Sequence, residues 1–232
     1  EAAMALQVQF VGCGDAFGSG GRFNTCFHLV GTSTNLLIDC GASSLVAMKQ
    51  LGIERNAIQA ILVTHFHADH FGGVPFFLLD AQFFSKRRAP LTIVGPPGLA
   101  AWFERVMETA FPGSAAAPRK FALHLQEIAA GETLAVGEVT VRAWQALPGP
   151  PGGPYLLYRI EAEGRSVTYT GDTEWTPDIV EAAREADLFI AEAYFRDRAV
   201  ATHLNLAAIE AHLADIRPKR LILTHMSDDM LN

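Results

Sequence analysis

Three histidines and an aspartate lie within six consecutive residues in the first third of the chain. His65, His67, Asp69 and His70 follow directly after the apolar run 60–63. Neutral imidazole and carboxylate groups together suit Zn²⁺ or a similar divalent metal. Side chains alternate along an extended segment, so positions 65 and 67 point to one side, whereas Asp69 and His70, at a turn into a helix, reach a second point nearby. The stretch therefore predicts half of a two-metal site.

The elements that position such a site are predicted strands. Strands are predicted over residues 57–64, 166–170 and 220–224. Each is followed at once by a ligand-type side chain: His65, Asp172 within Gly-Asp-Thr, and His225. In layered α/β folds, functional groups gather beyond strand ends, where loops carry them on a rigid scaffold. We therefore expect these three side chains to converge.

Two helices are predicted beside these strands. One begins near His70 and continues through Leu79, and an amphipathic helix covers residues 204–216.

The composition is that of a folded protein. The chain has 232 residues, of which 50% are hydrophobic and 19% charged, enough for a substantial core and too apolar for disorder. The formal net charge of −7 disfavours general nucleic-acid binding. No apolar run reaches the length of a membrane span, and the three cysteines form no CxxC pair. We expect reduced thiols and a cytoplasmic location without membrane contact.

The motifs resemble those of the metallo-β-lactamase superfamily, in the family's order and over essentially the whole chain. They are H-x-H-x-D-H at 65–70, G-D-T at 171–173 and T-H at 224–225. Segments 39–41, 187–193 and 223–227 further resemble ribonuclease Z and the phosphoribosyl cyclic phosphodiesterases. The resemblance implies an α/β fold, an αββα sandwich of two pseudo-symmetric halves, as a single hydrolase domain over residues 1–232. It also implies metals at one edge, between the sheets.

Six metal ligands are implied by the same resemblance. They are His65 and His67 for the first metal, Asp69, His70 and His225 for the second, and Asp172 as the bridge. A catalytic role is also expected for Asp69, because the attacking hydroxide would be held near it and Asp172. His203 corresponds to a histidine that assists proton transfer to the leaving group, and Glu192 is its orienting partner. Zinc is the expected metal, one or two ions, with manganese, iron and nickel left open.

One departure from the family pattern concerns the first metal. Relatives place another histidine shortly after the strand that corresponds to residues 139–146, and here Pro148 stands at that position. No histidine occurs between His124 and His203, so a small shift in alignment supplies none. We expect the first site to be weakened and the second to be the better occupied.

The expected activity is hydrolysis of small phosphodiesters through a metal-bound hydroxide, whose parent water has its pKa lowered by coordination. Many ribonucleases Z carry a long tRNA-gripping arm before the bridging aspartate. Only 24 positions separate Pro148 from Asp172 here, so that arm is missing and bulk tRNA is a disfavoured substrate. Two alternatives stay open: a carboxylic ester, lactone or thioester hydrolase, and a degenerate metal-binding protein without turnover. A homodimer is possible by analogy with these relatives.

Overall fold

The computed structural model describes residues 4–147, 149 and 154–232, which form two six-stranded sheets. The first sheet has the order β1-β2-β3-β4-β5-β6, with β1 Gln7–Gly12, β2 Cys26–Val30, β3 Asn35–Ile38, β4 Ala60–Leu62, β5 Leu91–Gly95 and β6 Leu123–Glu127. The second has the order β12-β11-β10-β9-β8-β7, with β7 Thr133–Val136, β8 Val139–Gln145, β9 Leu156–Ala162, β10 Arg165–Tyr169, β11 Leu188–Glu192 and β12 Leu221–Thr224. The helices are α1 Ser44–Gln50, α2 Ala68–Phe71, α3 Val74–Leu79, α4 Leu99–Ala110, α5 Asp178–Ala183, α6 Leu206–Glu210, α7 Leu213–Ile216 and α8 Asp228–Leu231.

Strands buried on both faces explain the layered arrangement. In β3, Leu36 and Ile38 pack against the other sheet, whereas Leu37 belongs to the cluster formed with the helices on the outer face. The same alternation holds in β4, where Leu62 faces the other sheet and Ile61 faces outward. Such strands read as continuous apolar runs, because helices cover the face that would otherwise meet water.

The outer faces of both sheets carry helices. Helices α1, α3 and α4 contribute Met48, Phe77 and Phe103 to the cluster on the first sheet. Helices α5 and α6 contribute Ile179 and Ile209 to the cluster on the second. The expected αββα sandwich is therefore confirmed.

The carboxyl ends of several strands meet at one edge of the sandwich. Strands β3, β4 and β5 run parallel, and so do β10, β11 and β12. Across the two sheets, Leu156 donates its backbone N–H to the Thr64 carbonyl at 3.0 Å, and the Tyr158 hydroxyl donates to the Val63 carbonyl at 2.6 Å. These bonds fix the His-rich loop after β4 against the second sheet.

Two helices that the sequence predicts as continuous are each divided in two, so these predictions were wrong. The helix expected from His70 to Leu79 is two helices, because the backbone N–H of Gly73 bonds to the Cys40 carbonyl at 3.0 Å instead of to the preceding helical turn. The helix expected over 204–216 stops after Glu210 and restarts at Leu213. His212, between them, bonds through Nδ1 to the Ala208 carbonyl at 2.8 Å.

Among the described residues, none of the helices has both the length and the apolar character that crossing a bilayer requires.

Candidate metal centre

Four predicted ligands converge at the edge where the parallel strands end. Asp69 and His70 come from α2, Asp172 follows β10 and His225 follows β12. His70 Nε2 lies 3.3 Å from Asp69 Oδ2 and 3.3 Å from Asp172 Oδ2. His225 Nε2 lies 3.1 Å from Asp69 Oδ2 and 3.6 Å from Asp172 Oδ1. One ligand atom from each residue falls within 4.8 Å of all the others, as a single cation requires.

The other predicted ligands, His65 and His67, form another group with Asp172; after the metals they were predicted to bind, we call this the first group and the four residues above the second group. His65 Nε2 lies 3.7 Å from Asp172 Oδ2, and the rings of His65 and His67 are 4.9 Å apart. His65 is fully buried, whereas His67 is exposed. The structure thus brings all six predicted ligands to one place, in two groups joined by one carboxylate.

Buried polar atoms in this centre fit a divalent cation. Within the described part of the chain, His65 Nε2, His70 Nε2 and Asp172 Oδ1 have no hydrogen-bond partner although they are buried. A buried polar atom without a partner is costly, and these three point into the same small space. Imidazole nitrogens and carboxylate oxygens are the donors that Zn²⁺ and similar ions take.

A separate pair, His203 and Glu192, lies beside the second group. His203 Nδ1 is 3.0 Å from Glu192 Oε1, which also accepts the backbone N–H of Leu204 at 2.8 Å. The other oxygen, Oε2, is 3.5 Å from His225 Nδ1. The His203 ring stacks on those of Tyr194 and His225, with centroids 4.8 and 5.6 Å away. Glu192 therefore touches both histidines, and Nε2 of His203 is the nitrogen left for a ligand.

Asp39 supports the second group from behind, a contact that the sequence interpretation missed. Its Oδ2 lies 2.7 Å from His70 Nδ1, and its Oδ1 accepts the backbone N–H of Thr64 at 2.8 Å. Asp39 has a positive φ of 57° immediately after β3, next to β4 in the sheet. The available signal was its place at the end of a strand, the same signal that selected His65 and Asp172. A carboxylate on the far nitrogen of a ligating histidine fixes the ring and its tautomer.

The pKa directions reflect competition between burial and close charges. Burial raises the pKa values of Asp69 and Asp172, but nearby His225 and His70 outweigh burial and hold both well below the usual range. Burial lowers the pKa of His65, and the His70 charge lowers it further. Burial also lowers the pKa of His70, but Asp172 and Asp39 outweigh it and raise that pKa. These directions leave His65 neutral and Asp69 and Asp172 ionised, so a cation bound between them would balance negative charge.

A Gly-rich loop, residues 18–22, holds the segment that carries His225. The Arg22 guanidinium donates to the carbonyls of Ser19, Cys13 and Met226. The Cys13 carbonyl also accepts the backbone N–H of His225 at 3.1 Å. His225 has a positive φ of 58°, and these bonds hold its backbone on both sides.

Pro148, the expected cause of a weakened first site, lies outside the described residues, so this expectation stays a prediction. On the described residues nearby, Leu147 donates its backbone N–H to Thr173 Oγ1 at 2.9 Å, next to Asp172. The sequence interpretation missed Tyr155, whose hydroxyl oxygen lies 2.7 Å from His67 Nε2. Burial, with the charge of Asp172, raises the pKa of Tyr155 to about 12. No residue pattern in the sequence marked this tyrosine.

The fold and the paired groups of ligands define a metallo-hydrolase centre. The family model described as a beta-lactamase superfamily domain matches residues 34–226, and the chain belongs to this superfamily.

Relatives and solved structures place it near ribonuclease Z. The chain is 25% identical to ribonuclease Z of Methanosarcina acetivorans, with 96% of this chain and 88% of the relative covered. It is 29% identical to that of Natronomonas pharaonis, with 97% and 88% covered. The crystal structure of the human short-form tRNase Z superposes with a TM-score of 0.79 at 25% identity, covering 96% of this chain and 93% of that one. The metallo-β-lactamase fold protein YhfI from Bacillus subtilis gives a TM-score of 0.77 at 19% identity, covering 96% and 87%, and shows the fold alone.

The expected family and the expected class, a metal-dependent hydrolase related to ribonuclease Z, are confirmed. Divalent metal binding follows from the family and from the ligand groups.

Proposed function

We propose that this chain hydrolyses small phosphodiesters at a two-metal centre. His65, His67 and Asp172 hold the first ion, and Asp69, His70, Asp172 and His225 hold the second. The observation that carries the proposal is the convergence of the second group within 4.8 Å, with the His203–Glu192 pair beside it. The relatives named ribonuclease Z act on a phosphodiester, which supports the same bond type here.

Zinc is the metal that we propose. The donor set is rich in imidazole, which suits zinc better than it suits magnesium or calcium. A bound divalent ion supplies charge to the phosphate oxygens and lowers the pKa of water.

The side chains of the protein have separate tasks. Asp69 and Asp172 present carboxylate oxygens that orient an attacking water by accepting its hydrogens. His203 donates the proton of Nε2 to the departing alkoxide; burial lowers the pKa of this imidazole, which makes its protonated form a stronger acid. Glu192 accepts the Nδ1–H of His203, fixes the ring orientation and favours the imidazolium form, which carries the Nε2 proton that is transferred.

The substrate is proposed to be small rather than bulk tRNA. Between β8 and Asp172 the chain has room only for a short connection and the strands β9 and β10. The long arm expected of a tRNA-gripping relative is thus missing from the sequence, and the net charge of −7 gives little attraction to a polyanion.

The test is hydrolysis by zinc-loaded protein of a bis-nitrophenyl phosphate, a nitrophenyl ester and a precursor tRNA, measured side by side. We expect the highest kcat/KM for the phosphodiester, and His70→Ala removes it. His124→Ala, a histidine exposed on β6, is the matched control and keeps full activity. A clear preference for the carboxylic ester would select the esterase alternative. Absence of turnover on every substrate would select the non-catalytic one.

A further inference from the structure

Tyr155 lies directly before β9, and its side chain packs against the two histidines of the first group. Its side chain is buried, with 6% exposure, and its ring centroid lies 4.4 Å from that of His65 and 5.3 Å from that of His67. Its hydroxyl oxygen is 2.7 Å from His67 Nε2 and 3.5 Å from His67 Nδ1. The phenol oxygen therefore lies against the exposed histidine of the first group.

The backbone fixes this position on both sides. The carbonyl of Tyr155 accepts the N–H of Ala146 at 2.8 Å, which pairs it with the end of β8. The following residue, Leu156, donates to the carbonyl of Thr64, the residue before His65. Tyr155 is thus paired with the residue that follows β8, close to the position where relatives place their additional histidine. The neighbouring residue, Leu156, connects the same segment to the start of the His-rich loop.

The contact with His67 is not that of an ordinary hydrogen bond. An oxygen on the in-plane axis of Nε2 would lie much farther from Nδ1 than the observed 3.5 Å. The two rings are also nearly perpendicular, at 76°. Two donors that share one ion at about 2.0–2.2 Å lie roughly 2.8–3.5 Å apart, so the observed 2.7 Å to Nε2 is just short of that range, and a small movement of the hydroxyl would admit an ion between the two.

We propose that the hydroxyl oxygen of Tyr155 is a ligand of the first metal, in the place where the sequence offers no histidine. The inference rests on the proposed two-metal function. His65, His67, Tyr155 and Asp172 then give two nitrogen and two oxygen donors. This set is harder than the usual imidazole-rich one and shifts preference toward manganese or iron.

Calorimetric titration of chelator-treated protein with Co²⁺ tests the ligand without any activity assay. The unsubstituted protein is expected to bind two ions with different Kd values. Tyr155→Phe weakens the weaker class by more than about 100-fold, beyond the roughly 10–100-fold loss that follows removal of a group that only supports a ligand, and leaves the tighter class unchanged. Tyr155→His keeps or strengthens the weaker class. Tyr158→Phe, a buried tyrosine bonded to the Val63 carbonyl, is the matched control and changes neither.

Equal Kd values for both classes in Tyr155→Phe and in the unsubstituted protein would overturn the proposal. If Tyr155→Phe does not fold, Fe³⁺-loaded unsubstituted protein decides, because a phenol oxygen on Fe³⁺ gives a visible charge-transfer band. Its presence supports the ligand and its absence overturns it. These readouts are independent of turnover: a protein that hydrolyses nothing yet shows the tyrosine effect refutes the proposed function alone.

Discussion

The two metal positions differ in how well the protein supports them. At the second position, His70 rests on Asp39 at 2.7 Å and His225 has Glu192 at 3.5 Å from its far nitrogen. At the first position, the partner of His65 Nδ1 within the described residues is the neutral Thr64 hydroxyl at 3.0 Å, and His67 is exposed. Because carboxylates behind a ligating histidine raise its basicity and fix its ring, the second position should bind the tighter ion.

Removing the shared carboxylate should have the largest effect. Asp172→Ala is expected to lower kcat/KM for a bis-nitrophenyl phosphate by at least about 10²–10³-fold, because both ions lose a ligand and the water loses an acceptor. Metal analysis of the purified variant should show reduced content at both positions. Full retention of both ions would contradict the bridging role.

Removing the proposed acid should affect the reaction and spare the metals. His203→Ala is expected to lower kcat by about 10²-fold for a dinucleotide, whose alkoxide needs a proton, and far less for a nitrophenyl leaving group, which does not. Metal Kd values should stay within twofold of the unsubstituted protein. Equal losses on both substrates would show that His203 does not deliver the proton.

Removing the Asp39 carboxylate, which contacts the far nitrogen of His70, should abolish the higher metal affinity of the second position. Asp39→Asn is expected to weaken the tighter class of metal by about 10–100-fold, measured by calorimetry. Asp80→Asn is the matched control: Asp80 is also buried but bonds to Arg55 and Lys49, away from the centre. An unchanged tight class in Asp39→Asn would show that the asymmetry has another origin.

A half-buried carboxylate far from both positions, Asp187, should have the smallest effect. The Lys219 ammonium, with the backbone N–H of Ser166, lowers the pKa of Asp187 to about 2. Its contribution to stability is therefore present above the ordinary aspartate pKa of 3.8 and is lost as the pH falls through about 2. Asp187→Asn should reduce the free energy of unfolding by less than about 1 kcal/mol near neutral pH. In urea unfolding this difference should shrink at pH 3, and metal Kd values should not change.

The sequence predicts the convergence of the candidate ligand side chains because their signal is local. His65 and His225 each follow a strand directly, and parallel strands in a layered fold end at the same edge, so no knowledge of packing is needed. The supporting contacts depend on which strands are neighbours. Asp39 reaches His70 only because β3 pairs with β4, and Tyr155 reaches His67 only through its pairing with Ala146.

Helix boundaries failed for a similar reason. The break before α3 comes from the hydrogen bond of the Gly73 N–H to the carbonyl of Cys40, which is 33 positions earlier in the chain. Apolar periodicity along the segment contains no trace of that contact.

The most direct test of the account is anomalous diffraction from crystals of the zinc-loaded protein. The account predicts a strong peak about 2.0–2.2 Å from His70 Nε2, His225 Nε2 and oxygens of Asp69 and Asp172, with a weaker peak beside His65. A zinc peak elsewhere, with none between His70 and His225, would contradict it.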